Sequence, residues 1–250
     1  MKQPNKKGTV ASFYTYWDGP GFYPGGWNEI DMNIVPSLTS NPLSMNAIYG
    51  DGHYKYEDHA YAEKVNVDDD WHTYEMEWTP DHISYSIDGN EVRRLDAKDH
   101  DAVKYMHKAQ HLRMNFWTPN FHAWGADLQP DDMPWYLLFD YIEVYRYNPE
   151  TKDFDYEWRD DFNEFDQTRW HRASGTFEAN SSIFYPSNVF THDGNLVIKM
   201  EPMPHGYHGH EEHEHHDYFS DEHLYLHHEI HHGVIHREHG SLVHDPIYLK

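Results

Sequence analysis

As far as about Met200 the chain consists of short apolar and aromatic runs punctuated by Gly, Pro, Asn and Asp. The first run, residues 10–16, reads Val-Ala-Ser-Phe-Tyr-Thr-Tyr and is bounded by Gly8 and by Gly19-Pro20-Gly21. Residues 29–35 alternate Glu, Ile, Asp, Met, Asn, Ile, Val, which is the period of a strand with one buried and one open face. Residues 72–78 and 83–87 follow, then Asp88-Gly89-Asn90, a hairpin turn, and a further run over 91–95. Residues 111–117, 137–147 and 195–200 continue the pattern. Nowhere does an apolar stripe persist at the 3.6-residue spacing of a helix, so the pattern predicts an antiparallel all-β sandwich.

Length fits that reading, since 250 residues accommodate one sandwich of ~200–250 residues with an appendage. Hydrophobic residues make up only 38%, yet aromatics reach 16%, more than a chain without a core would carry. Lys and Arg number 19 against 43 Asp and Glu, a net charge of −24, so no basic stripe exists to follow a nucleic-acid backbone. No apolar run reaches the ~18 residues of a membrane span. The absence of Cys removes disulfides, Cys nucleophiles and Cys-bound zinc. The chain opens Met1-Lys2-Gln3-Pro4 without an apolar segment behind it, so no signal peptide is visible.

Composition changes near 201–204. Fourteen of the 24 His fall between His205 and His244, which predicts a body over 1–200 and a His/Glu-rich tail over 201–250. Neutral imidazoles bind Zn²⁺ or Ni²⁺ and release them on acidification, so His210, His213, His215, His216, His228 and His232 are candidate ligands. The alternative is a solvated acidic tail. His228-Glu229-Ile230-His231-His232 fits the H-E-x-x-H pattern of zinc proteases, but Gly233 and β-branched Val234-Ile235 follow where that site needs a helix. We read it as a chance match.

The period-two strand carries the chemistry. Glu29, Asp31 and Asn33 share one face, and Ile30, Met32 and Ile34 the other. Acids two residues apart lie ~6.6 Å apart along a strand, and in a half-buried cleft each raises the other's proton affinity. A solvated strand face gives the same spacing, so spacing alone leaves both readings open.

Several motifs together resemble glycoside hydrolase family 16, and within it the licheninases (1,3-1,4-β-glucanases). They are Gly8-Thr9-Val10-Ala11-Ser12-Phe13, Trp27-Asn28-Glu29-Ile30-Asp31, the run from His72 through Thr79-Pro80, Ile87-Asp88-Gly89, and Met114-Asn115-Phe116-Trp117. Tyr156 to Asp166, Arg169-Trp170, Gly175 to Asn180 and Asn188 to Leu196 resemble the segment that opens a licheninase, yet here it comes last. The order is that of a circularly permuted licheninase, and the resemblance implies a concanavalin A-like jelly roll. It also implies a family strand ending at Met1-Lys2, with its beginning before the chain.

In that family the strand reads Glu-x-Asp-x-Glu. By resemblance Glu29 is the nucleophile of a retaining mechanism and Asp31 the residue that tunes it. Asn33 stands where the general acid/base belongs. An amide hydrogen-bonds but neither gives nor takes the proton. Losing that help costs ~10²–10⁴ in rate. Tyr14, Tyr16, Trp27, Asn46, Trp117 and Trp124 match positions that stack on or hydrogen-bond glucose rings, although any of these aromatics can equally be core. Gly175 replaces a family Trp platform. Asp140 matches a structural Ca²⁺ position in some members, a weak signal for an ion that takes six to eight oxygens.

The resemblance thus implies a monomer outside the cell or in the periplasm that binds a β-glucan or related polysaccharide. No cofactor is needed for chemistry, and hydrolysis is weak or lost. An active family 16 endo-β-glucanase that protonates the leaving group by another route is the alternative. A metal-binding surface protein acting through the His-rich tail is the third.

Overall fold

A computed structural model describes residues 1–203 except 18, 20–25, 63, 64, 66, 68 and 127, together with the backbone of 226–227. In chain order the strands are β1 (Val10–Tyr16), β2 (Asn28–Ile34), β3 (Leu43–Gly50), β4 (Lys55–Tyr61), β5 (Tyr74–Trp78), β6 (His82–Ile87) and β7 (Asn90–Asp96). A short helix α1 (Asp101–Tyr105) leads to β8 (His111–Trp117), and α2 (His122–Gly125) precedes β9 (Trp135–Phe139) and β10 (Ile142–Asn148). The remainder comprises β11 (Asp153–Asp160), β12 (His171–Arg172), β13 (Val189–His192), β14 (Asn195–Met200) and β15 (Leu226–His227).

One layer is a five-stranded antiparallel sheet in the order β4-β3-β2-β1-β8. The other is built from two three-stranded sheets, β5-β6-β7 and β13-β14-β9. Between them lies one continuous core. Ile30, Met32 and Ile34 of β2 meet Met76 and Trp78 of β5, Ile83 and Tyr85 of β6, and Leu196 and Ile198 of β14 there. Each fully buried side chain of this kind contributes ~1.5–3 kcal/mol. Polar groups tie the layers as well. Arg93 of β7 donates to the carbonyls of Met45 and Asp58 and to the Asp58 carboxylate, whose second oxygen holds His100 at 2.7 Å.

The chain turns where its sequence allows positive φ. Asp88 (φ 50°) and Gly89 (φ 74°) link β6 to β7, the two left-handed residues of a hairpin turn whose twist matches the flanking strands. A Cβ on Gly89 would meet nothing, so only backbone conformation selects glycine there. Gly8 differs: at φ +81° its added Cβ would lie 2.6 Å from Leu128 Cβ, so both conformation and space require glycine.

Predicted strands over 10–16, 111–117 and 195–200 coincide with β1, β8 and β14. The single strand expected over 137–147 is in fact two. Exposed Asp140 interrupts it, β9 pairs with β14, and β10 leaves for a separate ribbon with β11. Lys2 exchanges backbone hydrogen bonds with Leu138, so the first residues lie along β9. The tail residues His210, His213, His215, His216, His228 and His232 lie outside the described residues.

Candidate active site

Register alone places the cleft. Opposite residues of neighbouring strands point to one face, and across the five-stranded sheet this gives three polar rows. His111, Tyr16, Glu29, Ile48 and Glu57 form the first, and Arg113, Tyr14, Asp31, Asn46 and His59 the second. Asn115, Ser12, Asn33, Ser44 and Tyr61 form the third. These rows therefore carry all three predicted catalytic positions and three of the six predicted sugar contacts, Tyr14, Tyr16 and Asn46.

Glu29 sits between two donors. The Trp27 indole N–H donates to its Oε2 at 2.8 Å, and the Asp31 carboxyl hydrogen-bonds it from two residues along. Burial pushes Asp31 well above the usual carboxylate range, and the negative charge of Glu29 beside it pushes further. Burial raises Glu29 as well, but the Trp27 N–H, the Asp31 hydrogen bond and the charges of Arg113 and Lys55 work in the opposite direction. The pair therefore holds its proton on Asp31, which donates it to an ionised Glu29. That is the state a nucleophilic carboxylate requires.

The cations are held by aromatic faces. Lys55 Nζ lies 4.6 Å from the centre of the Trp27 ring, and the Arg113 guanidinium 4.6 Å from that of Tyr16. Tyr16 and Trp27 meet edge-on at 5.7 Å. Tyr14, across from Asp31, is buried, and burial raises its phenol well above the ordinary value, so it remains a donor. Asn115 donates to its hydroxyl at 3.4 Å.

Asn33 occupies the third position of the strand, half-buried, between Ser12 and Ser44. Asn46 lies across from Asp31, its amide N–H directed at Glu57 Oε2 at 3.4 Å, while its buried Oδ1 lacks a hydrogen-bond partner. Trp117 is only 7% exposed; its indole N–H donates to Ser12 Oγ at 3.3 Å and Phe177 packs on its ring. It is a wall of the cleft more than an open platform. Trp124 of α2 donates to the Tyr61 hydroxyl at 3.1 Å, which joins the outer edge of the sheet to this end of the groove.

Asp140 lies away from this face, on a separate pocket of about 320 Å³ with Trp71, Tyr74, Glu75 and Glu143. No group of three or more acidic or His side chains suited to a metal occurs among the described residues. A Ca²⁺ beside Asp140 would thus depend on backbone carbonyls, and the side-chain donors do not by themselves fit its shell.

Sequence reading missed β4 and what it brings. Glu57, His59 and Tyr61 share the cleft face at period two, which was the available signal, but the strand is an edge whose other face is also polar. Arg113 was missed for a different reason: a cation within an apolar run reads as an exposed position, whereas here it is 3% exposed.

Comparison with known proteins agrees with this geometry. Residues 1–135 match the family described as Glycosyl hydrolases family 16. A Beta-glucanase of Fibrobacter succinogenes is 31% identical over 208 residues, covering 80% of this chain and 58% of that protein. A Beta-glucanase of Brevibacillus brevis is 27% identical over 60% of this chain and 53% of its own length. A Xyloglucan endotransglycosylase/hydrolase of Oryza sativa is 32% identical over 48% of this chain and 39% of its own. The chain thus spans less than two thirds of each of these relatives. Strands β10, β13 and β14 lie beyond residue 135 yet contribute Ile142, Val144, Val189, Leu196 and Ile198 to the same core. With a family match over more than half its length and that family's Glu-x-Asp strand on the sheet face opposite the core, the chain belongs to glycoside hydrolase family 16.

Proposed function

We propose that the chain binds a β-linked glucan along the concave face and that Glu29 attacks its anomeric carbon in a slow retaining hydrolysis. The observation that carries this reading is the buried Glu29–Asp31 pair. Trp27 and Asp31 hold Glu29 as an aimed carboxylate, while the family's acid/base position is an amide. A retaining mechanism places its two carboxyls ~5–5.5 Å apart, and Asn33 supplies no second one. Tyr14, Tyr16, Trp27, Asn46, Trp117 and Trp124 are the proposed sugar contacts, and the three relatives are named as glucanases or transglycosylases. Location outside the cell or in the periplasm, and a body over 1–200 with a His-rich tail that binds Zn²⁺ or Ni²⁺, belong to the same proposal. Affinity electrophoresis through lichenan and laminarin tests it. We expect retardation by at least one glucan, and Glu29→Gln to keep retardation while abolishing any release of reducing ends. Free migration through both gels overturns it.

A further inference from the structure

The indole that donates to Glu29 is covered by a cation from the edge of the sheet. Lys55 lies on β4, which pairs with β3 and is separated by it from β2. Its register partner is Gly50, whose N–H donates to the Trp27 carbonyl at 2.8 Å. Lys55, Gly50 and Trp27 thus form one more row next to that of Glu29, and the middle residue carries no side chain. Across that gap Lys55 Nζ comes to 4.6 Å from the centre of the Trp27 ring. The ring N–H in turn meets Glu29 Oε2 at 2.8 Å.

Lys55 is itself held in place. Glu57 Oε1 lies 3.1 Å from its Nζ, and Glu57 Oε2 accepts from the Asn46 amide at 3.4 Å. A Lys–Glu pair at a sheet edge contributes little by itself. This one differs in its third partner, because the ammonium also rests on an aromatic face, which attracts it through the ring's quadrupole. Tyr16 meets the same indole edge-on at 5.7 Å, and the Arg113 guanidinium lies over Tyr16 at 4.6 Å. With Lys55 over its face and Tyr16 beside it, the indole keeps its N–H aimed at one carboxylate oxygen.

We infer that Lys55 is a positioning residue for the Glu29 nucleophile, acting through the Trp27 indole that it covers. The inference rests on the glucan-cleft reading above. Lys55 transfers no proton; it fixes the orientation of a donor and adds positive charge beside the Glu29–Asp31 pair. That charge favours the ionised form of both acids, and Arg113 of β8 acts on Glu29 in the same sense. Glu57 of β4 opposes it at Asp31. From β1 and β8, Tyr14, Tyr16 and His111 complete the titratable groups in the rows of the pair.

The test follows the nucleophile alone. On 2,4-dinitrophenyl 2-deoxy-2-fluoro-β-cellobioside, Glu29 forms a bond to the anomeric carbon and dinitrophenolate leaves without needing a proton, so Asn33 does not limit the step. Release of dinitrophenolate at saturating reagent is followed against pH, and mass spectrometry locates the ester. Lys55→Met should lower the plateau rate by ~10- to 10²-fold, the scale of a misplaced reacting group. It should also move the acid limb, which belongs to the Glu29–Asp31 pair, to higher pH by about half a unit. Lys55→Arg, which keeps a cation over the ring, should stay within threefold of wild type. In a Trp27→Phe background, which lacks the indole N–H, Lys55→Met should lower the plateau by less than threefold. A folded Lys55→Met with an unchanged limb and a plateau within twofold of wild type overturns the inference. So does a Lys55→Arg as slow as Lys55→Met, or a full Lys55→Met loss in the Trp27→Phe background. A wild type that is not labelled at Glu29, or that migrates freely through lichenan and laminarin, defeats the reading of the cleft and the inference with it.

Discussion

Restoring the missing carboxyl by Asn33→Glu gives the sharpest test of the cleft. Position 33 shares the face of Glu29 and Asp31, is half-buried, and is flanked by the small side chains of Ser12 and Ser44. A carboxyl there would face an ionised Glu29 across a poorly solvated groove, so it should bind its proton more tightly than a free Glu, as a general acid must. General acid/base help of ~10²–10⁴ corresponds to ~2.7–5.4 kcal/mol of barrier at 1.36 kcal/mol per tenfold. We therefore expect Asn33→Glu to raise lichenan hydrolysis at least ~10²-fold. The assay is release of reducing ends against pH, beside affinity electrophoresis to verify that binding is unchanged. Adding Glu29→Gln should remove the gain completely. A folded, glucan-retaining Asn33→Glu that gains less than threefold would refute the assignment of this strand to catalysis.

Three further outcomes follow from the same structure. Asp31 binds its proton more tightly in the fold than in the unfolded chain, so its contribution is complete below the ordinary carboxyl range of ~3.9 and is lost as pH rises through the elevated folded value. The Tm of Asp31→Asn relative to wild type should thus increase from pH 4 to pH 8, and a gap independent of pH would contradict the buried pair. Arg93→Met leaves the Asp58 carboxylate with His100 alone and takes the guanidinium from two backbone carbonyls between the layers, and urea unfolding should show a loss of ~3 kcal/mol; a loss under 1 kcal/mol would show that water replaces it. Gly8→Ala incurs both left-handed strain and a clash with Leu128 and should cost ~1–3 kcal/mol, whereas Gly89→Ala incurs strain alone and should cost ~1 kcal/mol. Equal losses in thermal unfolding would contradict that distinction.

Much of the body was written locally. Short apolar and aromatic runs over 10–16, 111–117 and 195–200 marked β1, β8 and β14, and Asp88-Gly89 marked a turn that needs positive φ at both residues. The period of two in Glu29-Ile30-Asp31-Met32-Asn33 was enough to sort core from cleft, because the burial preference of each side chain is a property of that residue alone. The resemblance to the family implied Glu29 as the nucleophile and Asn33 at the position of its partner.

The rest depended on which strands become neighbours. Whether 137–147 runs straight or splits at Asp140 is decided by the competing partners β14 and β11, which lie elsewhere in the chain. The ionisation of Glu29 and Asp31 depends on Trp27, Arg113 and Lys55, contributed by three separate segments. Ser12 and Ser44 come from other parts of the chain, and nothing in their own sequence places them beside Asn33; only the pairing of β2 with β1 and with β3 does so. Burial pattern travels with the residue, but proximity across strands is a property of the pairing, and it is proximity that sets proton affinities and decides which group can reach a scissile bond.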